Sequence, residues 1–198
     1  MDDESDSDIG TLSAQGAEYW PGIGVQQGTG STNKITIQSG KIEAVGGNNG
    51  GAGIGASSGN GGYKGSITIS GGEVSASGGS NAVGIGGGNI DSNGSIIING
   101  GIVTATSGSW GGDNGIKGIK FSTGTEGKAV IIASSIEDQS NKSNWSGLIF
   151  AGNEGAIYST LYYTLTKSIK IPSDKTLEIK GGQKLIIEDD VTLTNNGK

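Results

Sequence analysis

The sequence predicts an all-β fold, a parallel β-helix, and three observations carry that prediction. Gly-Ile-Gly recurs every 31 residues, at Gly22-Ile23-Gly24, Gly53-Ile54-Gly55 and Gly84-Ile85-Gly86, with an altered fourth copy at Gly115-Ile116-Lys117. A fixed period of that length is the mark of stacked repeat architectures. Each copy is followed by short alternating runs rich in β-branched residues and bounded by Gly, Asn and Ser, which is the pattern of a strand between corners. Glycine supplies 41 of the 198 residues and proline only two. That load suits tight corners and close backbone approach, whereas a collagen-like chain needs glycine at every third place.

Within each repeat the elements follow in order. Gly-Ile-Gly is the first short strand. The second is Ile35-Thr36-Ile37, then Ile67-Thr68-Ile69, then Ile96-Ile97-Ile98. The third follows a glycine corner: Lys41-Ile42-Glu43-Ala44, Glu73-Val74-Ser75-Ala76 and Ile102-Val103-Thr104-Ala105. The second strands start 32 and then 29 residues apart while the Gly-Ile-Gly step holds at 31, so corner loops absorb the difference.

Side chains alternate across a strand, and stacking the repeats aligns the inward set into five columns. These are Ile23/Ile54/Ile85/Ile116, Ile35/Ile67/Ile96, Ile37/Ile69/Ile98, Ile42/Val74/Val103 and Ala44/Ala76/Ala105. Burying each large aliphatic is worth about 1.5–3 kcal/mol. A single repeat has no interior of its own, so stability comes from neighbours. The outward set, Thr36/Thr68/Ile97, Lys41/Glu73/Ile102 and Glu43/Ser75/Thr104, is mostly polar.

Past Phe121 the pattern changes. Ala129-Val130-Ile131-Ile132-Ala133-Ser134 and Trp145-Ser146-Gly147-Leu148-Ile149-Phe150 are less regular. A tighter rhythm follows in Ile169-Lys170-Ile171, Leu177-Glu178-Ile179, Leu185-Ile186-Ile187 and Val191-Thr192-Leu193, which predicts shorter coils of about 24 residues built from eight-residue strand units. The expected organisation is an acidic disordered leader over 1–18, a β-helix of Gly-rich repeats over 19–130, and a continuing β-helix with a C-terminal coil region over 131–198.

Composition narrows the function classes. The chain has no Cys and no His, and all 13 basic residues are Lys. That excludes disulfides and thiol catalysis and argues against nucleic acid, whose recognition leans on Arg. The net charge of −6 is concentrated in Asp2, Asp3, Glu4, Asp6 and Asp8, the composition of a solvated tail. No stretch is long and apolar enough to insert in a membrane. The start carries no signal-peptide pattern, and the chain is expected to be a piece of a longer one with neighbouring domains.

The pattern Ala52-Gly53-Ile54-Gly55 … Gly65-Ser66-Ile67-Thr68-Ile69-Ser70-Gly71-Gly72-Glu73-Val74-Ser75-Ala76 resembles the β-helical repeats of large surface proteins of gut-associated Gram-positive bacteria. Those chains continue into segments similar to Gly155-Ala156-Ile157-Tyr158 … Tyr163-Thr164-Leu165-Thr166 and Ile171-Pro172-Ser173-Asp174-Lys175-Thr176-Leu177. The resemblance covers about residues 20–198. It implies a secreted or wall-associated bacterial protein, adhesin-like or carbohydrate-binding, and it brings no catalytic residues with it.

The expected function is a non-enzymatic, extracellular cell-surface module binding polysaccharide or host glycan; the alternative is a structural stalk. Aromatic side chains are the expected glycan platforms. Trp110 and Tyr63, in corner loops, and Trp20 are the candidate ligand-binding residues, although the aromatics do not occupy equivalent repeat positions. A polysaccharide-degrading enzyme needs paired carboxylates or a tuned base. Within 19–130 the acids are Glu43, Glu73, Asp91, Asp113 and Glu126, and Glu43 and Glu73 share no column. No catalytic residue and no cofactor is expected. The Asn89-Ile90-Asp91-Ser92-Asn93-Gly94 corner is a candidate calcium site through Asp91, competing with an ordinary turn. Ice binding would need unbroken outward Thr columns, which the chain lacks.

Overall fold

The computed structural model describes residues 10–25, 33–57, 65–87, 94–109, 115–117, 120–122 (backbone only), 128–137, 147–158 and 162–197. Strand β1 (Thr11–Gln15) comes first, inside the stretch expected as a leader, and four rounds of three strands follow. They are β2 (Ile23–Val25), β3 (Lys34–Ile37) and β4 (Lys41–Val45); β5 (Ile54–Ala56), β6 (Ser66–Ile69) and β7 (Glu73–Ser77); β8 (Ile85–Gly86), β9 (Ser95–Ile98) and β10 (Ile102–Thr106); β11 (Ile116–Lys117), β12 (Lys120–Ser122) and β13 (Ala129–Ala133). Then come β14 (Gly147–Ala151), β15 (Glu154–Tyr158), β16 (Tyr162–Leu165), β17 (Ile169–Ile171), β18 (Thr176–Glu178), β19 (Lys184–Ile187) and β20 (Leu193–Asn195). The described residues contain no helix.

The rounds sort into stacked sheets. The Gly-Ile-Gly strands form one sheet in the order β11-β8-β5-β2, and the Ile-Thr-Ile strands form another, β12-β9-β6-β3. The third strands join a large sheet, β1-β4-β7-β10-β13-β14-β15-β18. Pairing is parallel and in the predicted columns: Ile23 opposite Ile54, Ile54 opposite Ile85, Ile85 opposite Ile116, and Ile42 opposite Val74, Val74 opposite Val103. Ile54, Ile67, Ile69, Ile85, Ile96, Ile98 and Ile116 are fully buried together in one core. β1 extends the large sheet by one strand, with Leu12 and Ala14 opposite Ile42 and Ala44. The signal was present in Leu12-Ser13-Ala14, which matches Val74-Ser75-Ala76 with one aliphatic exchanged for another.

The second glycine of Gly-Ile-Gly shows why the motif exists. Gly24, Gly55 and Gly86 hold φ of +145°, +136° and +133°. A Cβ on Gly55 would lie 1.9 Å from the carbonyl oxygen of Gly86, and one on Gly86 would lie 1.9 Å from that of Lys117. Each glycine is demanded by the strand stacked after it. Lys117 is on β11, the last strand of that sheet, and its side chain is free to pair with Glu137 at 3.5 Å. Beyond this altered fourth copy the stack continues only as a single parallel bridge, Ile116 to Ile136, rather than as another Gly-Ile-Gly strand.

Downstream the chain does not simply continue in shorter coils. β14 pairs with β15 antiparallel, the only antiparallel strand pair among the described residues, through the two-residue turn Gly152-Asn153. Gly152 has φ +62°, as the first turn residue of a type II′ hairpin requires. After it the strands run the other way: β15 pairs with β18, β16 with β19 and β17 with β20, all parallel, at steps of 22 to 24 residues. Val191 and Thr192 precede β20 rather than opening it.

The reversal also moves the core to the other face of the large sheet. Ala129, Ile131, Ala133 and Ile149 belong to the first core. Their neighbours Val130, Leu148 and Phe150 belong to a second, with Ile157, Tyr163, Leu165, Ile169 and Ile171. The β4-to-β7 crossover passes over the first face and the β15-to-β18 crossover over the second. Opposite strand direction on the opposite face is a half-turn about the stacking direction, so both crossovers have the same hand.

Two polar anchors hold this junction. Lys175 is buried; its Nζ donates to the carbonyls of Ala133, at 3.3 Å, and Gly152, and lies 3.5 Å from Asp174 Oδ2. Tyr163 donates its hydroxyl to Lys128 O at 3.4 Å, and burial pushes its pKa up to about 12.

Candidate functional site

The outer face of the large sheet is covered along only half its length. One outward column runs Thr11, Lys41, Glu73, Ile102, Val130, Leu148. Thr11, Lys41 and Glu73 are exposed, Ile102 is half-buried, and Val130 and Leu148 are buried. The next column, Ser13, Glu43, Ser75, Thr104, Ile132, Phe150, makes the same passage from polar and exposed to apolar and covered. The second lobe therefore begins at β10 and leaves β1, β4 and β7 open.

At the step between open and covered halves lies a cleft of about 660 Å³. Thr11, Lys41, Glu73 and Ile102 line one side, and Lys167 and Ser168, from the loop between β16 and β17, line the other. Ser168 is fixed there because its hydroxyl accepts the Thr192 N–H at 2.9 Å. Ser39 and the corner glycines Gly10, Gly40 and Gly72 complete the lining. The cleft holds one carboxylate, two ammonium groups and hydroxyls, which is hydrogen-bonding chemistry with a single acid.

The far edge of the open half is the corner after β1, β4 and β7. Four residues past each strand end, Tyr19, Asn49 and Asn81 take left-handed φ of 68°, 64° and 61°. Asn adopts that conformation readily, but a bulky tyrosine there is an outlier, and such outliers gather at functional sites. Tyr19 is 52 % exposed and its neighbour Trp20 43 %. Tyr19 N–H donates to Asn48 O at 2.7 Å, and Asn49 Nδ2 donates to Glu18 Oε1 at 2.7 Å. Two aromatic rings, an acid and an amide thus share one surface corner.

Of the sequence candidates, Trp20 is placed at this corner. Trp110, Tyr63 and Asp91 lie outside the described residues. By count along the sequence, Trp110 falls four residues past Thr106, the same offset that Tyr19 has from Gln15. Sequence reasoning also missed Lys167 and Ser168, because nothing local says that their loop meets Lys41 from across the large sheet. Among the described residues, no group of three His, Cys, Asp or Glu side chains could hold a metal ion. No helix of the structure is long and apolar enough to cross a membrane. The chain matches no protein-family model, and neither curated proteins nor solved structures give a match.

Proposed function

We propose that the chain is a parallel β-helix of about 31-residue coils, followed by a shorter-coiled one of the same hand stacked back to back with it, and that it serves as a non-enzymatic polysaccharide-binding module at a bacterial cell surface. The observation that carries the binding reading is the open half of the large sheet, a polar face bounded by the cleft on one side and by the exposed Tyr19–Trp20 corner on the other. Hydroxyls, amides and carboxylates beside aromatic faces suit the alternating polar and C–H surfaces of sugars. The single carboxylate of the cleft, Glu73, supports a non-catalytic role, since glycoside hydrolysis ordinarily uses two. The resemblance to surface-protein repeats supports an extracellular, adhesin-like setting. The test is an array of plant and host polysaccharides probed with and without calcium and with EDTA. Saturable binding that falls about tenfold or more in Trp20→Ala, in line with the loss of a central aromatic contact, is expected. Binding lost only in EDTA would return attention to Asp91. Silence across the array would leave the stalk as the better reading.

A further inference from the structure

Resting on that binding reading, we propose that the favoured polysaccharide is acidic, and that the cleft beside the second lobe is the subsite for a sugar bearing a carboxylate or sulfate. Lys41 comes from the open sheet and Lys167 from the loop of the other lobe, so two elements far apart in sequence deliver ammonium groups to one recess. The three charged residues lining it are Lys41, Lys167 and Glu73. The recess is therefore locally cationic on a chain whose net charge is −6, and an anion gains by being placed there rather than elsewhere on the surface.

The arrangement also selects among anions. Glu73 is the register partner of Lys41 on the adjacent strand, about 5 Å away by strand spacing. A carboxylate on the neighbouring strand repels a continuous polyphosphate but accepts hydrogen bonds from sugar hydroxyls. An acidic sugar carries both groups: an anion for the two lysines and hydroxyls for the glutamate. Half-buried Ile102 offers an apolar floor for the C–H face of the ring. The glycine corner beside it, Gly40 and Gly72, lets a chain run along the stack past Lys41 and Glu73.

The experiment is calorimetric titration with a uronic-acid oligosaccharide, its methyl ester and a sulfated neutral oligosaccharide, all in EDTA at two salt concentrations. The ester keeps the shape and removes the charge. We expect the acid to bind about tenfold more tightly than the ester at low salt, with the preference shrinking as ions screen the lysines. In the Lys41→Gln/Lys167→Gln double variant that preference should fall to about twofold or less, with the thermal midpoint unchanged because both side chains are exposed. The sulfated arm separates the two sources of the anion: binding of that oligosaccharide alone assigns a sulfated sugar, and binding of the uronate alone a carboxylate. Equal affinity for acid and ester with no binding of the sulfated sugar, or a preference for the anionic sugar that survives in the double variant, overturns the inference. If a neutral polysaccharide binds through Trp20 without acid preference, this inference fails while the binding reading stands. If none of the saccharides or array polymers binds, both fail.

Discussion

The first three strands of the large sheet and the two that follow β10 are built from the same kind of chain and treated differently by the fold. β1, β4 and β7 alternate, with Leu12, Ile42 and Val74 inward and Thr11, Lys41 and Glu73 outward. β13 and β14, Ala-Val-Ile-Ile-Ala and Gly-Leu-Ile-Phe-Ala, do not alternate at all. The difference counts buried faces. An alternating strand has one side in a core and one in water, while a run of apolar residues is covered on both. Half of this sheet is spent on a second core and half is left open to meet something else.

Breaking the covered half should have the largest effect. Phe150 is fully buried in the second core, and its ring occupies the space beside Gly155, where a Cβ would come within 2.2 Å of Cδ1. Phe150→Ala is expected to cost about 3–5 kcal/mol, read as a lower midpoint in denaturant. Glu43→Ala, on the open half, should change stability by no more than about 0.5 kcal/mol. Equal effects at the two sites would remove the distinction between the halves.

The stacking of the repeats is tested by a second contrast. Gly55→Ala places a methyl group against the Gly86 carbonyl at positive φ and should cost about 3 kcal/mol. Lys117→Ala, at the same motif position on the last strand, should cost about 0.5 kcal/mol or less, the value of a surface ion pair.

The two lobes should also part company in alkali. The Tyr163 pKa is raised to about 12 by burial in the second lobe, above the value of about 10 that it takes in an unfolded chain. The native state therefore holds that proton more tightly. Its contribution, on the order of 2 kcal/mol, is fully present below pH of about 10 and is lost as the pH rises toward 12. Stability should fall over that window and recover part of its value in Tyr163→Phe; an unchanged alkaline profile in that variant would contradict the assignment.

Much of the first lobe was legible because its period and its alternation point the same way. Gly-Ile-Gly, Ile-Thr-Ile and the Val-Ser-Ala type of strand each fall on a separate sheet, in the columns that the sequence aligned. The reversal was less legible. Gly152-Asn153 between two apolar runs is a hairpin signal, but it competes with a repeat rhythm that resumes at Ile169, and both stacks use parallel strands. The cleft could not be read at all: Lys41 and Lys167 are 126 positions apart, and only the move to the opposite face brings their elements together. Ile102, Val130 and Ile132, apolar at outward positions, were the trace of that covering.

The most direct test of the account is a blocked face. Ser75 lies outward and exposed on β7, in the middle of the open half. Ser75→Arg should leave the thermal midpoint unchanged, because no second layer packs there, and should abolish saturable binding to whichever polysaccharide the wild-type protein takes up in the same titration. Full-strength binding by a folded Ser75→Arg protein would show that the ligand uses another surface, and the central claim would be wrong.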